Sequence, residues 1–398
     1  MSKILVIGAA AYQVPAIQRI KKLGHKAYCV DYKEDQPGYA YADGYRIIDV
    51  RDKERCLQYA QTLEIDGVLS WGSTLTLETV SYIAEHMALS AIPMDTAIIS
   101  TNKYLIRKRL TDSGLNVYGD VFEIKGESDI KNHTYSLPFV VKPCDGSGSK
   151  GVQIVTNEED IYSAIQFAFD NARNGEIYVE PFVKGDEYSV EAYVCNGTVY
   201  IYSVVKTLFE WTDVFPIYTQ TTYLGISDAL ESMIEREVEK AANALNVTFG
   251  PINFDIIISD IDGKPYIIDV GIRNGQNLLA SHIVPYSRGI DELNNSIKLC
   301  LGQKVDACPN KKEYISSRLL IYNPGLIVDI LPYNHLIGKN NIVDIILRKR
   351  KGDMLPKYQT KSDICGWVLA KGTSPEEALY YSNKAWELLK DYIVIKNV

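Results

Sequence analysis

The sequence predicts a multidomain protein of mixed α/β and α+β class, with a parallel sheet first and hairpin-built sheets after it. Two patterns carry this. From the N-terminus to about Pro93, compact apolar strands alternate with amphipathic helices, the rhythm of βαβ units. From about Leu137 to Val270 the pattern shifts to alternating runs joined by Asn196-Gly197 and Asp262-Gly263, the strongest short hairpin signals. Length agrees: 398 residues exceed one ordinary core and suit two or three domains.

In order, Lys3–Ile7 reads as a strand, followed by a helix in which Val14, Ile17, Ile20 and Leu23 share one face. Lys26–Val30 and Gly44–Val50 read as strands, Lys53–Leu63 as a helix and Gly67–Ser70 as a strand. A new segment opens at Ser100-Thr-Asn-Lys103 with a helix to about Ser113, closed by Gly114. A long helix, about Ser227 to Leu245, lies between the two hairpins. Beyond Gly302, strands are expected near Ser317–Tyr322, Ile342–Arg348 and Gly366–Ala370. The last helix has a well-formed start: Ser374 as cap, Pro375 in the first turn and Glu377 completing a capping box.

Composition excludes several classes. Net charge is −8 and the pI is about 5.3, which argues against a nucleic-acid or anionic-membrane partner. Seven dispersed cysteines without a Cys-x-x-Cys pair read as reduced thiols. The apolar run Ile4–Ile7 is too short for a signal peptide or membrane span, and no later run reaches membrane length. A cytoplasmic protein without membrane contact is expected. The 28 tyrosines have no account in the sequence.

The strand Phe139–Lys142 leads into Gly146-Ser147-Gly148-Ser149-Lys150-Gly151. Three glycines and two serines make a loop rich in free backbone N–H groups, able to wrap phosphate oxygens, with Lys142 and Lys150 adding charge. It is not a P-loop, since it leads into a strand and lacks the Gly-x-x-x-x-Gly-Lys-Ser/Thr spacing. An ordinary hairpin loop is the alternative. A second candidate is Glu180-Pro-Phe182-Val183-Lys-Gly-Asp-Glu187, a short connector between strands. Its carboxylates suit an adenine amino group and a ribose hydroxyl pair, while the backbone of Phe182 and Val183 reads the adenine edge. Two solvated glutamates flanking a turn would look the same.

The second hairpin permits a sharper expectation. With Ile261-Asp-Gly263 as a three-residue loop, Asp260 faces Lys264, Asp255 faces Asp269 and Asn253 faces Gly271. Opposed carboxylates on one face repel unless something neutralises them, and magnesium bridging nucleotide phosphates would do so. A two-residue loop would put the aspartates on opposite faces.

Taken in order, these motifs resemble the ATP-grasp superfamily, in its carboxylate–amine ligase branch with carbamoyl-phosphate synthetase, purine-pathway ligases and biotin carboxylase. Asn102-Lys103 with Arg107 looks like that family's opening helix, whose lysine contacts ATP phosphate. Lys142 matches its second phosphate lysine, and Gly146–Gly151 its flexible loop. Glu180, Phe182, Val183 and Glu187 have the spacing of its adenine and ribose ligands, and Phe254-Asp255 through Asp269-Val-Gly-Ile-Arg273 resembles its metal strand pair. The resemblance implies a Rossmann-like N-terminal domain (1–95), an ATP-grasp region (96–300) with a lid at about 115–185, and a C-terminal α/β part (301–398) completing that module.

It also implies an ADP-forming ligase joining a carboxylate to an amine or thiol through an acylphosphate. ATP and Mg2+, or Mn2+ in its place, are the expected cofactors, with metal on Asp255 and Asp269 and catalytic roles for Lys142 and Arg273. Three positions depart from the family: Asp269 stands for Glu, Gly271 for a metal-binding Asn and Ile272 for Pro. These put a two-metal site in question and keep a non-catalytic nucleotide-binding module as the alternative. Purine-pathway synthetase-like and biotin carboxylase-like enzymes are further alternatives. A dinucleotide oxidoreductase is disfavoured because Gly8-Ala-Ala-Ala11 lacks the Gly-x-Gly-x-x-Gly fingerprint. For small-molecule carboxylate and amine substrates, Ser73 and Thr74 follow a strand at the sheet's carboxyl edge, although either also suits a helix cap. Glu78 follows them, Asn274, Gln276 and Asn277 follow Arg273, and the aromatic segment Leu208–Thr222 suits a specificity loop. Lys206 is expected opposite Glu187, as an ion pair or a phosphate contact. A homodimer is the default assembly.

Overall fold

The computed structural model describes residues 1–115, 119–126, 129–130, 133–146, 150–195, 197–211, 216–222, 227–275, 278–358 and 363–396. Ser147, Gly148, Ser149, Asn196, Gln276 and Asn277 lie outside the described residues, as do 212–215 of the aromatic segment.

Strands β1 (Lys3–Ile7), β2 (Lys26–Asp31), β3 (Gly44–Ile47) and β4 (Gly67–Leu69) form a parallel sheet in the order β3-β2-β1-β4. Both faces are covered, as parallel sheets require. Leu5 and Ile7 pack on helices α2 (Lys53–Leu63) and α3 (Leu77–Met87) through Leu57, Ala60, Val80 and Ile83. Ile4 and Val6 pack on α1 (Val14–Lys22) and on a helix far along the chain, Glu292–Cys300, through Leu293, Ile297 and Cys300. The N-cap of α3 is Thr76, so neither Ser73 nor Thr74 caps it.

After α4 (Met94–Ser100) and α5 (Lys103–Asp112) comes an antiparallel sheet, β5-β8-β6-β7. Its strands are β5 (Phe122–Ile124), β6 (Phe139–Pro143), β7 (Gln153–Val155) and β8 (Ile177–Pro181). The helix Ile161–Asn171 closes its apolar face with Ala164, Ile165 and Ala168.

The largest sheet has eight strands in the order β13-β12-β9-β10-β11-β14-β18-β16. They are β9 (Gly185–Cys195), β10 (Thr198–Trp211), β11 (Pro216–Thr222), β12 (Phe249–Ser259), β13 (Pro265–Gly271), β14 (Tyr314–Leu320), β16 (Ile342–Leu347) and β18 (Gly366–Gly372). A further sheet, β17-β15-β19, joins β15 (Gly325–Ile330), β17 (Met354–Leu355) and β19 (Ile393–Lys396). Strand alternation sorts the large sheet into two faces. Tyr188, Val190, Ala192, Ile252, Phe254 and Ile256 pack on Ile106 and Leu110 of α5 and on Ile234, Val238 and Ala241 of the helix Asp228–Ala244. Glu187, Ser189, Glu191, Asn253 and Asp255 alternate with them and take the other face.

Two registers differ from expectation. Cys195 faces Thr198, but a bulge after Ile201 shifts everything beyond it by one. Lys206 therefore lies opposite Tyr188, not Glu187, and bonds Asp186 through Nζ at 2.6 Å. In the second hairpin Ser259 N donates to Lys264 O (3.0 Å) and Gly263 N to Ser259 O (2.9 Å). The loop is thus four residues, Asp260–Gly263, not three. A bulge at Ile268 then restores the register, so Asp255 does face Asp269, and Asn253 does face Gly271. At the last helix (Pro375–Leu389), Ser374 Oγ accepts from Glu377 N at 3.3 Å. The Glu377 carboxylate accepts from Thr373 N (2.8 Å), one residue ahead of the expected cap position.

Candidate active site

The site lies where the four-stranded sheet meets β13, the edge of the large sheet. Helix α5 supplies two cations. Asn102 caps it, accepting from Leu105 N at 3.1 Å, which starts the helix at Lys103. Lys103 and Arg107 are four residues apart and share a face. Lys103 forms an ion pair with Asp269, and its backbone N–H donates to Cys144 O (2.7 Å) at the base of the glycine loop. Arg107 is buried; its Nη2 lies 2.7 Å from Glu180 Oε2, and its Nη1 donates to Ile267 O at 2.6 Å. Lys142, from β6, pairs with the other oxygen of Glu180 and donates to Ile268 O at 3.3 Å. The bulge at Ile268 thus turns two successive carbonyls towards these cations, as bulges at sheet edges do.

Charge follows the geometry. Burial raises the Asp269 carboxyl, but Lys103, Lys142 and Arg273 outweigh it and hold it below the usual range. Burial likewise works against ionised Glu180, and Arg107 and Lys142 reverse it. Asp255, facing Asp269, accepts a bond from Ser189 Oγ at 2.7 Å. Arg273 donates through Nη1 to Asn274 O at 2.9 Å and to Asn253 Oδ1 at 3.4 Å. Among the described residues, no group of three or more His, Cys, Asp or Glu side chains converges to hold a metal. The opposed aspartates fit one divalent ion because facing carboxylates can offer it oxygens from both strands, with Lys103 paired to Asp269 and Ser189 bonded to Asp255.

Residues 135–279 match the family model described as the ATP-grasp domain. This stretch is therefore similar to the ATP-grasp domain. Over 208 residues the chain is 28% identical to D-alanine–D-alanine ligase of Parabacteroides distasonis, covering 50% of this chain and 61% of that protein. It is 28% identical to the formate-dependent phosphoribosylglycinamide formyltransferase of Prochlorococcus marinus, covering 43% of this chain and 44% of that one. The chain thus spans less than two thirds of these relatives' length. An L-amino acid ligase structure from Bacillus licheniformis shares the fold with a TM-score of 0.83 at 20% identity, covering 100% of this chain and 99% of that one. Among the described residues, no helix is long and apolar enough to cross a membrane.

In the matched stretch, Gly146 and Gly151 bracket loop residues that lie outside the described set. Gly151 has φ +77, and a Cβ there would come within 2.7 Å of Asn171 Cβ and Pro143 Cγ. Asp145 anchors the loop base, accepting from Arg173 N (3.1 Å) and Asn174 N (3.0 Å). On the connector, Val183 is buried and Phe182 N donates to Pro138 O at 3.2 Å. Glu187 takes the polar face, between Thr207 and Ile257. The Glu180 carboxylate is buried between the Arg107 and Lys142 cations.

Asn274 sits against the helix Glu292–Cys300. It is buried, its Nδ2 donates to Glu292 Oε2 at 2.8 Å, and its Oδ1 accepts from Ser296 Oγ at 3.1 Å. The side chain faces the interior. Lys206 is drawn to Asp186, at the far end of the connector from Lys142. Ser73 and Thr74 are half-buried on the loop after β4, and Ser73 O accepts from Ser70 Oγ at 3.2 Å. Glu78 instead pairs with Lys53 at 3.7 Å. Sequence reasoning missed Ser189 and the structural weight of Arg107. The four-residue spacing from Lys103 was the available signal for Arg107; Ser189 had none beyond its alternation with Glu187.

Proposed function

We propose that this protein is an ATP-dependent ligase, joining a small-molecule carboxylate to an amine or thiol and releasing ADP and phosphate. The carrying observation is the pairing of Lys103 and Lys142 with Asp269 and Glu180 at the seam of the two sheets, beside the opposed Asp255. Without a nucleotide, these cations neutralise protein carboxylates. With one bound, Lys103 and Lys142 turn to its phosphates, and Asp269 is freed. Glu180, with Arg107 on its other oxygen, holds Lys142 in reach. The backbone of Phe182 and Val183 reads the base, and Glu187 on the polar face takes the ribose. Gly146, Ser147, Gly148, Ser149 and Gly151 supply loop amides over the phosphates.

Asp255 and Asp269 would hold Mg2+, or Mn2+ in its place, which when bound supplies charge neutralisation on the phosphates. In the reaction, a carboxylate oxygen of the substrate bonds to the γ-phosphorus as its bond to the ADP oxygen breaks. The amine nitrogen then bonds to the acyl carbon, and phosphate leaves. Arg273, on the polar face after β13, stabilises the anionic acylphosphate, and the sheet carrying the glycine loop excludes water. Ser73 and Thr74, on the loop after β4, would meet substrate.

The test is ADP and phosphate release from magnesium-ATP over a panel of carboxylic acids crossed with amines. One acid and one amine are expected to be needed together, and Lys142→Ala and Asp255→Ala should each lower turnover by about 100-fold or more. Undiminished turnover in both variants would reject the assignment. ATP binding without turnover on any pair would instead establish the non-catalytic nucleotide module, the reading that the departure at Gly271 favours.

A further inference from the structure

Gly271 is a glycine for reasons of space, not of backbone. It lies in the extended run of β13 and is not among the glycines with positive φ. Any residue could adopt that backbone. What a side chain would meet is Asn253: a Cβ at 271 would lie 2.2 Å from Asn253 Oδ1 and 3.3 Å from its Cγ. Contacts that short do not occur, so the Asn253 amide already fills the place of a side chain at 271. It reaches that place from the facing strand, because Asn253 and Gly271 are register partners.

Two residues along each strand, on the same face, stand the partners Asp255 and Asp269. The face therefore carries two carboxylates and, one pleat on, an amide oxygen leaning across the strand gap. Arg273 Nη1 approaches that oxygen at 3.4 Å, the long limit of a hydrogen bond, while keeping a 2.9 Å bond to Asn274 O. The contact is weak enough to exchange for a cation. A neutral oxygen suits the position, since a third carboxylate would add repulsion to a pair that already repels. Divalent hard cations accept amide oxygens beside carboxylates.

We propose that Asn253 supplies, through Oδ1, a third protein oxygen to the divalent ion held by Asp255 and Asp269, and that residue 271 is glycine to leave room for that amide. This rests on the ligase reading only in assuming that a nucleotide-bound divalent ion occupies the face. The donor is thus carried on β12 and presented over β13.

The experiment is Mn2+ binding to the full chain with ADP, followed by electron paramagnetic resonance, alongside ADP affinity in EDTA by calorimetry. Asn253→Ala should weaken Mn2+ by about tenfold or more and leave ADP affinity in EDTA unchanged. Asn253→Asp should retain Mn2+, since an oxygen remains. Gly271→Asn alone should disturb the site by collision, whereas Gly271→Asn with Asn253→Gly moves the amide to the other strand and should recover Mn2+ binding. Wild-type Mn2+ affinity in Asn253→Ala would overturn the inference. So would an equal loss of ADP affinity in EDTA, because Asn253 would then hold nucleotide and not the ion. A double variant as weak as Asn253→Ala would overturn the exchange of strands. Failure of the wild-type protein to bind ADP at all would reject the ligase reading together with this one, a pattern distinct from the other three.

Discussion

Glu292 is fully buried beside Asn274, and its ionisation ties the interior of the protein to pH. Burial pushes its carboxyl up to about 8 from 4.5, partly offset by the bond from the Asn274 amide. Burial and the nearby Glu292 raise Glu191 well above its ordinary range too. The folded chain keeps the Glu292 proton that the unfolded chain releases near 4.5. The stability this provides is complete below the unfolded value and is lost as pH rises towards about 8. The slope is about 1.4 kcal/mol per pH unit for one proton. Glu292→Gln should flatten the fall in urea midpoint between these limits, and an unchanged slope would refute the assignment. The same cluster encloses Asn274. Asn274 was a substrate candidate because it follows Arg273, and nothing near it in sequence announces Glu292 and Ser296, which enclose it. Lys142 was singled out by its place before the glycine loop, Asp255 and Asp269 by the hairpin register, and Lys103 by the resemblance alone; Lys103 does pair with Asp269, and Lys142 with Glu180.

At the scale of elements, period-two alternation in Gly185–Cys195 and Phe249–Ser259 was enough to separate the polar face from the packed one. Bulges were not legible, since an extra strand residue leaves no mark in composition. One bulge moved Lys206 away from Glu187. Another, at Ile268, cancelled a one-residue error in loop length, so the facing aspartates came from a wrong loop and an unseen bulge. The glycine loop offers a cleaner test, because its two ends differ. Gly151 sits at φ +77 with Asn171 and Pro143 at 2.7 Å from a Cβ, whereas at Gly146 the nearest atom, Pro143 Cβ, is at 3.2 Å and the backbone is ordinary. Gly151→Ala should cost about 1–2 kcal/mol for the left-handed backbone alone and weaken ADP binding by misplacing the loop. Gly146→Ala should be nearly neutral in stability. Equal thermal midpoints for the two variants would show that the loop base is not strained as described.

At the scale of the whole molecule, sequence segments and packing units do not coincide. The helix Glu292–Cys300 covers one face of the N-terminal parallel sheet, and Gly67 leaves only 2.8 Å between a Cβ and Cys300 O. The large sheet crosses the proposed boundary at residue 300, since β11 pairs with β14 and β14 with β18. Val205, Leu279 and Ile283 pack against Ile315, Leu319 and Trp367 from beyond it. Cutting after residue 300 would bare that apolar surface and turn β11 into an unpaired edge, both of which favour association. Residues 1–300 alone should therefore elute as aggregate in size-exclusion chromatography and bind ADP weakly or not at all, although Lys103, Lys142, Asp255 and Asp269 are all present. A monomeric fragment with full ADP affinity would show that the C-terminal strands contribute nothing to the site. The resemblance implied that residues 301–398 complete the module, but not which strands join, because sheet continuity is set by which edges meet in space, and residues 220 and 318 are paired across nearly a hundred positions.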